Sequence, residues 1–439
     1  MIIFCEHAVE TLTYFSRQIA QEFARLDYEI FWMDFEKIGL SAWKLRQRMQ
    51  SSRTQAVLIT FNAIGLSGEE QLWDADAQGL PSDSIWEQLG IRCLNILVDH
   101  PIYYYEALRH PVPDLVTFCI DRDHAAYMRR FYPDLQCVFL PLAGNLLLAD
   151  DKEDGAVSGT GSGCWRAACD GRDLEVLAMP LEKERPAPVQ TLDQWLQRPY
   201  PLVFTANYVP VANIEKQLDA LEPEYRDFYY EIIEAFVRDP GRDLLSGMEG
   251  LLMREMPDLT EAQLCEAMSN MPAVDLWIRT YFREKTVRIL AEAGMKVYVF
   301  GKDWDLMACK CPQNVIHNGG MTDSAACVRA AAGAKLALNT MPWFKDGAHD
   351  RVFTAMLQGA AALTDPSIYL TEQFTDQKEL FYYDLCGLEQ LPELVKGLLK
   401  EPERVYAAAC SGREAAVRYH TWKSRAEILR NYASLPGTA

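Results

Sequence analysis

Met1-Ile2-Ile3-Phe4-Cys5 opens the chain, a stripe of Leu12, Phe15, Ile19, Phe23 and Leu26 follows, and Tyr28-Glu29-Ile30-Phe31-Trp32-Met33 comes next. The two flanking runs are short, rich in Ile and Phe, and almost without polar alternation. That is the pattern of strands buried on both faces of a sheet. The stripe between them repeats every three or four residues, the spacing of one helical face. Strand, helix, strand in that order predicts a parallel βαβ unit.

The pattern continues outward. Apolar runs at 56–61, 94–98, 115–120 and 137–142 predict four more strands. Residues 1–200 therefore read as a Rossmann-like, doubly wound domain. At 149–171 acidic residues, Gly and Ser replace the apolar pattern. Such a composition cannot build a core and predicts a flexible insertion. A second α/β pattern starts with a strand at 202–206. Helical sequence from 214 to 290 follows, broken near Pro240, Pro257 and Pro272. Strands are expected again at 297–300, 315–316, 335–339, 360–364 and 380–382, with helices at 324–332 and 349–358. The fold class is α/β: two Rossmann-like domains, 1–200 and 201–415, facing across a cleft. A terminal helix within 416–439 is expected to cross back to the first domain.

Composition excludes several functions. The net charge is -19, from 43 basic and 62 acidic residues, so no nucleic-acid partner is expected. No apolar run is long enough for an integral membrane segment. The opening strand has no basic leader before it, and many of the 12 cysteines sit in apolar runs; a cytoplasmic location is expected. No cysteine pair has zinc spacing, and Asp303-Trp304-Asp305 reads as part of a structural turn. No metal site is expected.

The chemistry concentrates at 339–359. A strand ends at Asn339, and a helix begins after Asp346-Gly347. The first N–H groups of a helix favour an anion. Lys345, His349 and Arg351 bring positive charge to the same end, where the dipole disfavours it. A diphosphate would relieve that conflict; a solvated turn paired with Asp346 and Asp350 is the alternative. Asp99-His100, at the end of a buried strand, offers a carboxylate and an imidazole for acid–base work, with Asp121 and Asp123 as second choices. A helix cap and a core histidine are the structural alternatives for this pair.

Asp346-Gly347-Ala348-His349-Asp350-Arg351-Val352-Phe353-Thr354-Ala355-Met356-Leu357-Gln358-Gly359-Ala360, followed by Leu363-Thr364-Asp365, resembles the donor-binding stretch of the CgeB-type spore-maturation glycosyltransferases. Val297-Tyr298-Val299-Phe300-Gly301-Lys302-Asp303-Trp304 resembles that family's Gly-x-x-Trp strand end. Asn314-Val315-Ile316-His317-Asn318-Gly319, Lys335-Leu336-Ala337-Leu338-Asn339 and Tyr419-His420-Thr421-Trp422 with Arg425 match in order and spacing. Leu97-Val98-Asp99-His100-Pro101, Cys119-Ile120-Asp121-Arg122 and Phe139-Leu140-Pro141 extend the likeness into the first domain.

The resemblance implies the GT-B architecture and a metal-independent glycosyltransferase. It would take a nucleotide sugar, UDP-linked by preference, to a glycan or protein acceptor of a cell or spore surface, with no other cofactor. It places Thr205, Asn207, Gly301, His317, Asn318, Lys345, Asp346, Gly347, His349, Arg351 and Thr354 at the donor, and Asp99 and His100 at the catalytic position. Many retaining relatives carry two Glu eight residues apart where Asp346 and Thr354 stand here. Thr354 cannot grip a ribose with two acceptor oxygens. A catalytically inactive binding module and a sugar-nucleotide epimerase remain as alternatives.

Overall fold

The structure, a computed structural model, describes residues 1–51, 55–75, 81–148, 190–317 and 322–433. The insertion expected at 149–171 and the candidate Asn318 lie outside the described residues.

The first half contains β1 (Ile2–Glu6), β2 (Ile30–Asp34), β3 (Val57–Phe61), β4 (Trp73–Ala75), β5 (Pro81–Ser84), β6 (Arg92–Leu97), β7 (Leu115–Cys119) and β8 (Gln136–Phe139). Six of them form one parallel sheet in the order β2-β1-β3-β6-β7-β8. Every residue of β3 and β6 is buried, which explains why both are mostly apolar, with Thr60 in β3 and Arg92 and Asn95 in β6 as the polar exceptions. Arg92, inside β6, is neutralised by Asp114 at 3.2 Å. The first helix, Glu10–Ala24, buries Leu12, Phe15, Ile19 and Phe23. Leu26 of the expected stripe lies past its end and is 44% exposed, because the chain turns at Asp27 with φ 61°. The antiparallel pair β4-β5 was not expected, since its polar sequence carries no strand alternation.

The second half contains β9 (Tyr200–Thr205), β10 (Val297–Phe300), β11 (Val315–His317), β12 (Ala334–Leu338), β13 (Ala361–Thr364) and β14 (Phe381–Tyr382). They form a second parallel sheet, β11-β10-β9-β12-β13-β14. In each sheet the chain reverses direction beside its first strand, and ligands of such sheets bind outside the carboxyl ends at that point. Between β9 and β10 the helical stretch divides into Val211–Asp219, Pro223–Arg238, Leu244–Glu255, Glu261–Ser269 and Pro272–Glu292. Pro272 is the first residue of the last of these, where a missing N–H costs nothing.

Three features join the halves. The helical stretch packs on the helix Arg122–Phe131: the Tyr127 hydroxyl lies 3.3 Å from Cys265 Sγ, and Arg130 pairs with Glu249 and Glu261 at 2.8 Å each. The helix Pro402–Tyr419 lies on Asp350–Leu357, after which the chain bends at His420. The helix Trp422–Ala433 then rests on the first domain, with the Trp422 ring 5.1 Å from Phe15 and 6.2 Å from Phe61. Phe4, Phe15, Phe353, Met356 and Trp422 thus share one core. Burying each such side chain stabilises by ~1.5–3 kcal/mol.

The third feature is the turn after β8. A Cβ on Gly144 would lie 2.5 Å from the backbone carbon of Phe353, so only glycine lets this turn meet the helix Asp350–Leu357. Asn145 beside it donates from Nδ2 to Asp350 Oδ2 at 2.9 Å and from its backbone N–H to Thr354 Oγ1 at 2.9 Å. It accepts from Trp422 Nε1 at 2.8 Å, and from Gln358 Nε2 at 3.0 Å on its carbonyl.

Candidate active site

Asp99 follows β6 at its carboxyl end. Asn62, just past β3, accepts from the Val98 N–H at 2.9 Å and donates to Asp99 Oδ2 at 3.0 Å. The Tyr104 hydroxyl donates to the same oxygen at 3.4 Å. The other oxygen, Oδ1, faces Arg279 of the helix Pro272–Glu292 at 3.3 Å. The Asp99 side chain is 32% exposed and that of Arg279 16%. The second amino group of Arg279 bonds to Asp275 one helical turn earlier, and the Tyr103 hydroxyl donates to that carboxylate at 2.5 Å. The Arg279 guanidinium sits 4.2 Å from the centre of the Trp343 ring. Burial opposes its charge, but Asp275, Tyr103 and Asp99 outweigh burial and raise its pKa.

His100 has a different role from the one its position implied. Its Nδ1 accepts the Ile102 N–H at 3.1 Å and caps the short helix Pro101–Tyr104. Burial, with His124 and Arg279 nearby, pushes its pKa well down, so the ring is neutral. With Nδ1 an acceptor, the proton stays on Nε2, which is buried without a partner among the described residues. His100 is thus a hydrogen-bond donor rather than a base. Its ring meets His124 at 4.4 Å; burial pushes His124 down to about 4.

Positive charge gathers on the opposite wall. Arg351 donates to the Thr205 carbonyl at the end of β9 at 3.2 Å, and to His349 Nδ1 at 2.7 Å. Arg283, one helical turn from Arg279, donates to the Asn207 carbonyl at 2.7 Å. Burial beside Arg351 and Arg279 pushes Arg283 well below the usual guanidinium range. Burial and the same three arginines push His349 well down. A guanidinium does not release its proton in a protein. Like charges thus crowd this wall, as an anion site would require.

The helix Asp350–Leu357 does not supply that anion site with its N–H groups. The buried Asp350 carboxylate takes the N–H groups of Asp350 and Arg351 itself, and burial raises its pKa. Lys345 also leaves the cluster: its ammonium bonds to the Pro240 carbonyl, and burial lowers its pKa. Asp346 faces the first domain, its Oδ1 3.1 Å from Arg122 and its N–H donating to Asp121 Oδ2 at 3.1 Å. A Cβ on Gly347 would lie 2.6 Å from the Ile120 carbonyl, so glycine lets this loop lie against β7's end. Thr354 Oγ1 is held by Asn145 rather than presented to a ligand. Burial pushes Asp121 up to about 6 in this seam.

The remaining predicted residues lie around the ends of β9 to β11. A Cβ on Gly301 would come 2.1 Å from the Ala206 carbonyl, so the β9 and β10 ends touch through bare backbone. Asn207 Oδ1 accepts the Lys302 N–H at 3.0 Å. Thr205 is half-buried, and His317 ends the edge strand in an exposed position.

The structure thus unites Asp99, His100, His349, Arg351, Thr205 and Asn207 with three residues the sequence reading missed: Arg279, Arg283 and Trp343. Arginines four apart on one helix were the available signal. Buried polar atoms without partners among the described residues concentrate here too: His100 Nε2, His124 Nδ1, Asp275 Oδ1, Arg279 Nε, Arg283 Nε, Thr340 Oγ1 and Trp343 Nε1. Such atoms are costly unless a ligand or water meets them. Most can donate, as suits a ligand rich in acceptor oxygens. Among the described residues, His7, Asp34 and Glu36 form the one group with metal-ligating spacing, at the ends of β1 and β2. No described helix is long and apolar enough to cross a membrane.

Residues 279–431 match a family described as glycosyl transferase-like, so Arg279, Arg283, Trp343, His349 and Arg351 fall within a glycosyl transferase-like segment. No curated protein matches the chain. Among solved structures, Alr3699/HepE from Anabaena, in complex with UDP-glucose, is 9% identical over 99% of each chain, with a TM-score of 0.50. AviGT4, a glycosyltransferase involved in avilamycin A biosynthesis, is 10% identical over 98% of this chain and 96% of its own, with a TM-score of 0.47. The sucrose-phosphate synthase tll1590 from Thermosynechococcus elongatus is 10% identical over 98% and 97%, with a TM-score of 0.46. The two parallel six-stranded sheets are those of the GT-B fold.

Proposed function

We propose that this protein is a metal-independent glycosyltransferase of the CgeB type. It would use a nucleotide sugar, UDP-linked by preference, and act on a glycan or protein acceptor in the cytoplasm. The observation that carries the reading is the convergence of Arg283, Arg351 and His349, with buried donors left unpartnered, opposite the Asp99 carboxylate. The glycosyl transferase-like segment and the UDP-glucose complex of a protein with this fold support it.

In this reading the two arginines, the His349 ring and the Thr340 hydroxyl hold the diphosphate. The sugar extends toward Trp343, Arg279 and Asp99. Asp99 takes the proton of the acceptor hydroxyl as its oxygen bonds to the anomeric carbon. The bond from that carbon to the diphosphate breaks, and its electron pair leaves with the phosphate. The arginines, fixed before the reaction, stabilise that developing charge where a metal would otherwise act. Losing one such contact costs ~10²–10³ in rate.

The test is calorimetric binding of UDP-, GDP-, dTDP- and CDP-sugars to the wild type and to Arg283→Ala and Arg351→Ala. Each variant should bind the preferred donor at least about tenfold more weakly. Arg283→Ala should also melt no lower than the wild type, because it removes an uncompensated charge. A folded wild type that binds none of these sugars would refute the reading. Binding without hydrolysis or transfer would leave the inactive-module alternative.

A further inference from the structure

Arg279 stands where the two halves of the site meet, and its pairing is asymmetric. Asn62 and Tyr104 both donate to Asp99 Oδ2, while Arg279, alone among the described residues, takes Oδ1. Arg279 also lies four residues before Arg283 on one helix, which brings the two side chains to the same face. An anion on Arg283 is therefore within reach of Arg279, whose Nε has no partner among the described residues. Trp343 beneath the guanidinium and Asp275 beside it keep it at this junction.

We propose that Arg279 couples donor occupancy to Asp99: the donor's diphosphate draws the guanidinium away from Asp99 Oδ1 and frees that oxygen for the acceptor. This rests on the donor reading above. Without donor, Oδ1 is paired with a cation and is a weaker base toward a hydroxyl proton. With donor, the diphosphate competes for the guanidinium. The carboxylate keeps its place, because the bonds from Asn62 and Tyr104 to Oδ2 do not involve Arg279. Oδ1 then takes the proton of the acceptor hydroxyl as that oxygen bonds to the anomeric carbon, and the diphosphate departs with the electrons of the broken bond. Arg279 is a positioning residue here. It delays the base until the donor is seated, which protects the sugar from transfer to water.

Competition for one cation gives the test an unusual sign. Removing the Asp99 charge should strengthen donor binding, since Arg279 is no longer shared. An ion pair of this partial exposure corresponds to about a 1.5-fold to fivefold change in affinity. Calorimetry with UDP as the probe, and GDP, dTDP and CDP in parallel, should show Asp99→Asn binding its preferred nucleotide about 1.5-fold to fivefold more tightly than the wild type. Tyr104→Phe, which touches only Oδ2, should bind as the wild type does. Arg279→Ala alone would strand the buried Asp275 carboxylate, so it is paired with Asp275→Asn. In that double variant Asp99→Asn should have no effect on affinity. Tighter binding that persists without Arg279, or an Asp99→Asn protein that binds no better than the wild type, overturns the coupling and leaves the donor site standing. A folded wild type that binds none of the four nucleotides overturns both.

Discussion

Asn145→Ala is the sharpest test of how the two halves are held. The substitution deletes the Nδ2 bonds to Asp350 and Thr354 Oγ1, at 2.9 and 3.3 Å, and the Oδ1 bond from Trp422 at 2.8 Å. It leaves the two main-chain links, to Thr354 Oγ1 and from Gln358 Nε2, in place. Two buried partners are stranded: an indole N–H and a carboxylate. A stranded neutral group costs ~1–3 kcal/mol and a charged one more. The sum is about 4 kcal/mol. Unfolding entropy of about 2.1 cal/mol/K per residue gives about 0.9 kcal/mol/K for the 439-residue chain. The melting temperature should therefore fall by about 4–5 °C in scanning calorimetry at neutral pH. Asn145→Asp should fall further, because it sets a second carboxylate against Asp350. A fall of under about 1 °C for Asn145→Ala would show that the halves are held by the shared apolar core alone.

Acidification should act through buried imidazoles. Burial, with Arg425 adding to it, pushes His420 down from 6.5 to about 3. It stays neutral in the fold while the unfolded chain takes up a proton below pH 6.5, so its contribution is full above that pH and is lost as the pH falls toward 3. Between pH 7 and 5 this amounts to about 2 kcal/mol. The stability gap between the wild type and His420→Phe, measured by urea unfolding, should narrow by that amount; an unchanged gap refutes the assignment. Donor affinity should be the same in EDTA and in Mg²⁺. A Mg²⁺ requirement abolished by His7→Ala would instead assign a metal to the His7, Asp34 and Glu36 group.

Much of the architecture was legible because parallel strands buried on both faces leave mostly apolar runs, and eleven of the twelve strands of the two parallel sheets lie within two residues of those runs at either end. The candidate site was legible where chemistry lies next to a strand end, as with Asp99, or at a helix start, as with His349 and Arg351. It was illegible where packing decides direction. Arg279 and Arg283 sit in a long helical stretch far in sequence from the loops they face. The packing of Pro272–Glu292 on the helices Val211–Asp219 and Pro223–Arg238 and on β10 sets them beside those loops. Asp346 and Thr354 stand at the positions the resemblance marks, yet the turn at Gly144 and Asn145 claims one, and Arg122 with Asp121 the other. His100 sits where expected, and its backbone bond to Ile102 decides which nitrogen keeps the proton. Spacing cannot show that.

The closeness of Gly144 to Phe353 bears on recombination. A chimera cut near residue 200 respects the chain's covalent order but not its joinery. A donor half grafted from another protein would have to offer bare backbone to Gly144, a threonine and a carboxylate to Asn145, and an indole from its own last helix. The exchangeable unit is therefore not a contiguous half: it is the second sheet together with the short turn at 141–148. Libraries that shuffle whole halves of this chain should yield few folded members, and those that carry the turn along with its helix should yield many more.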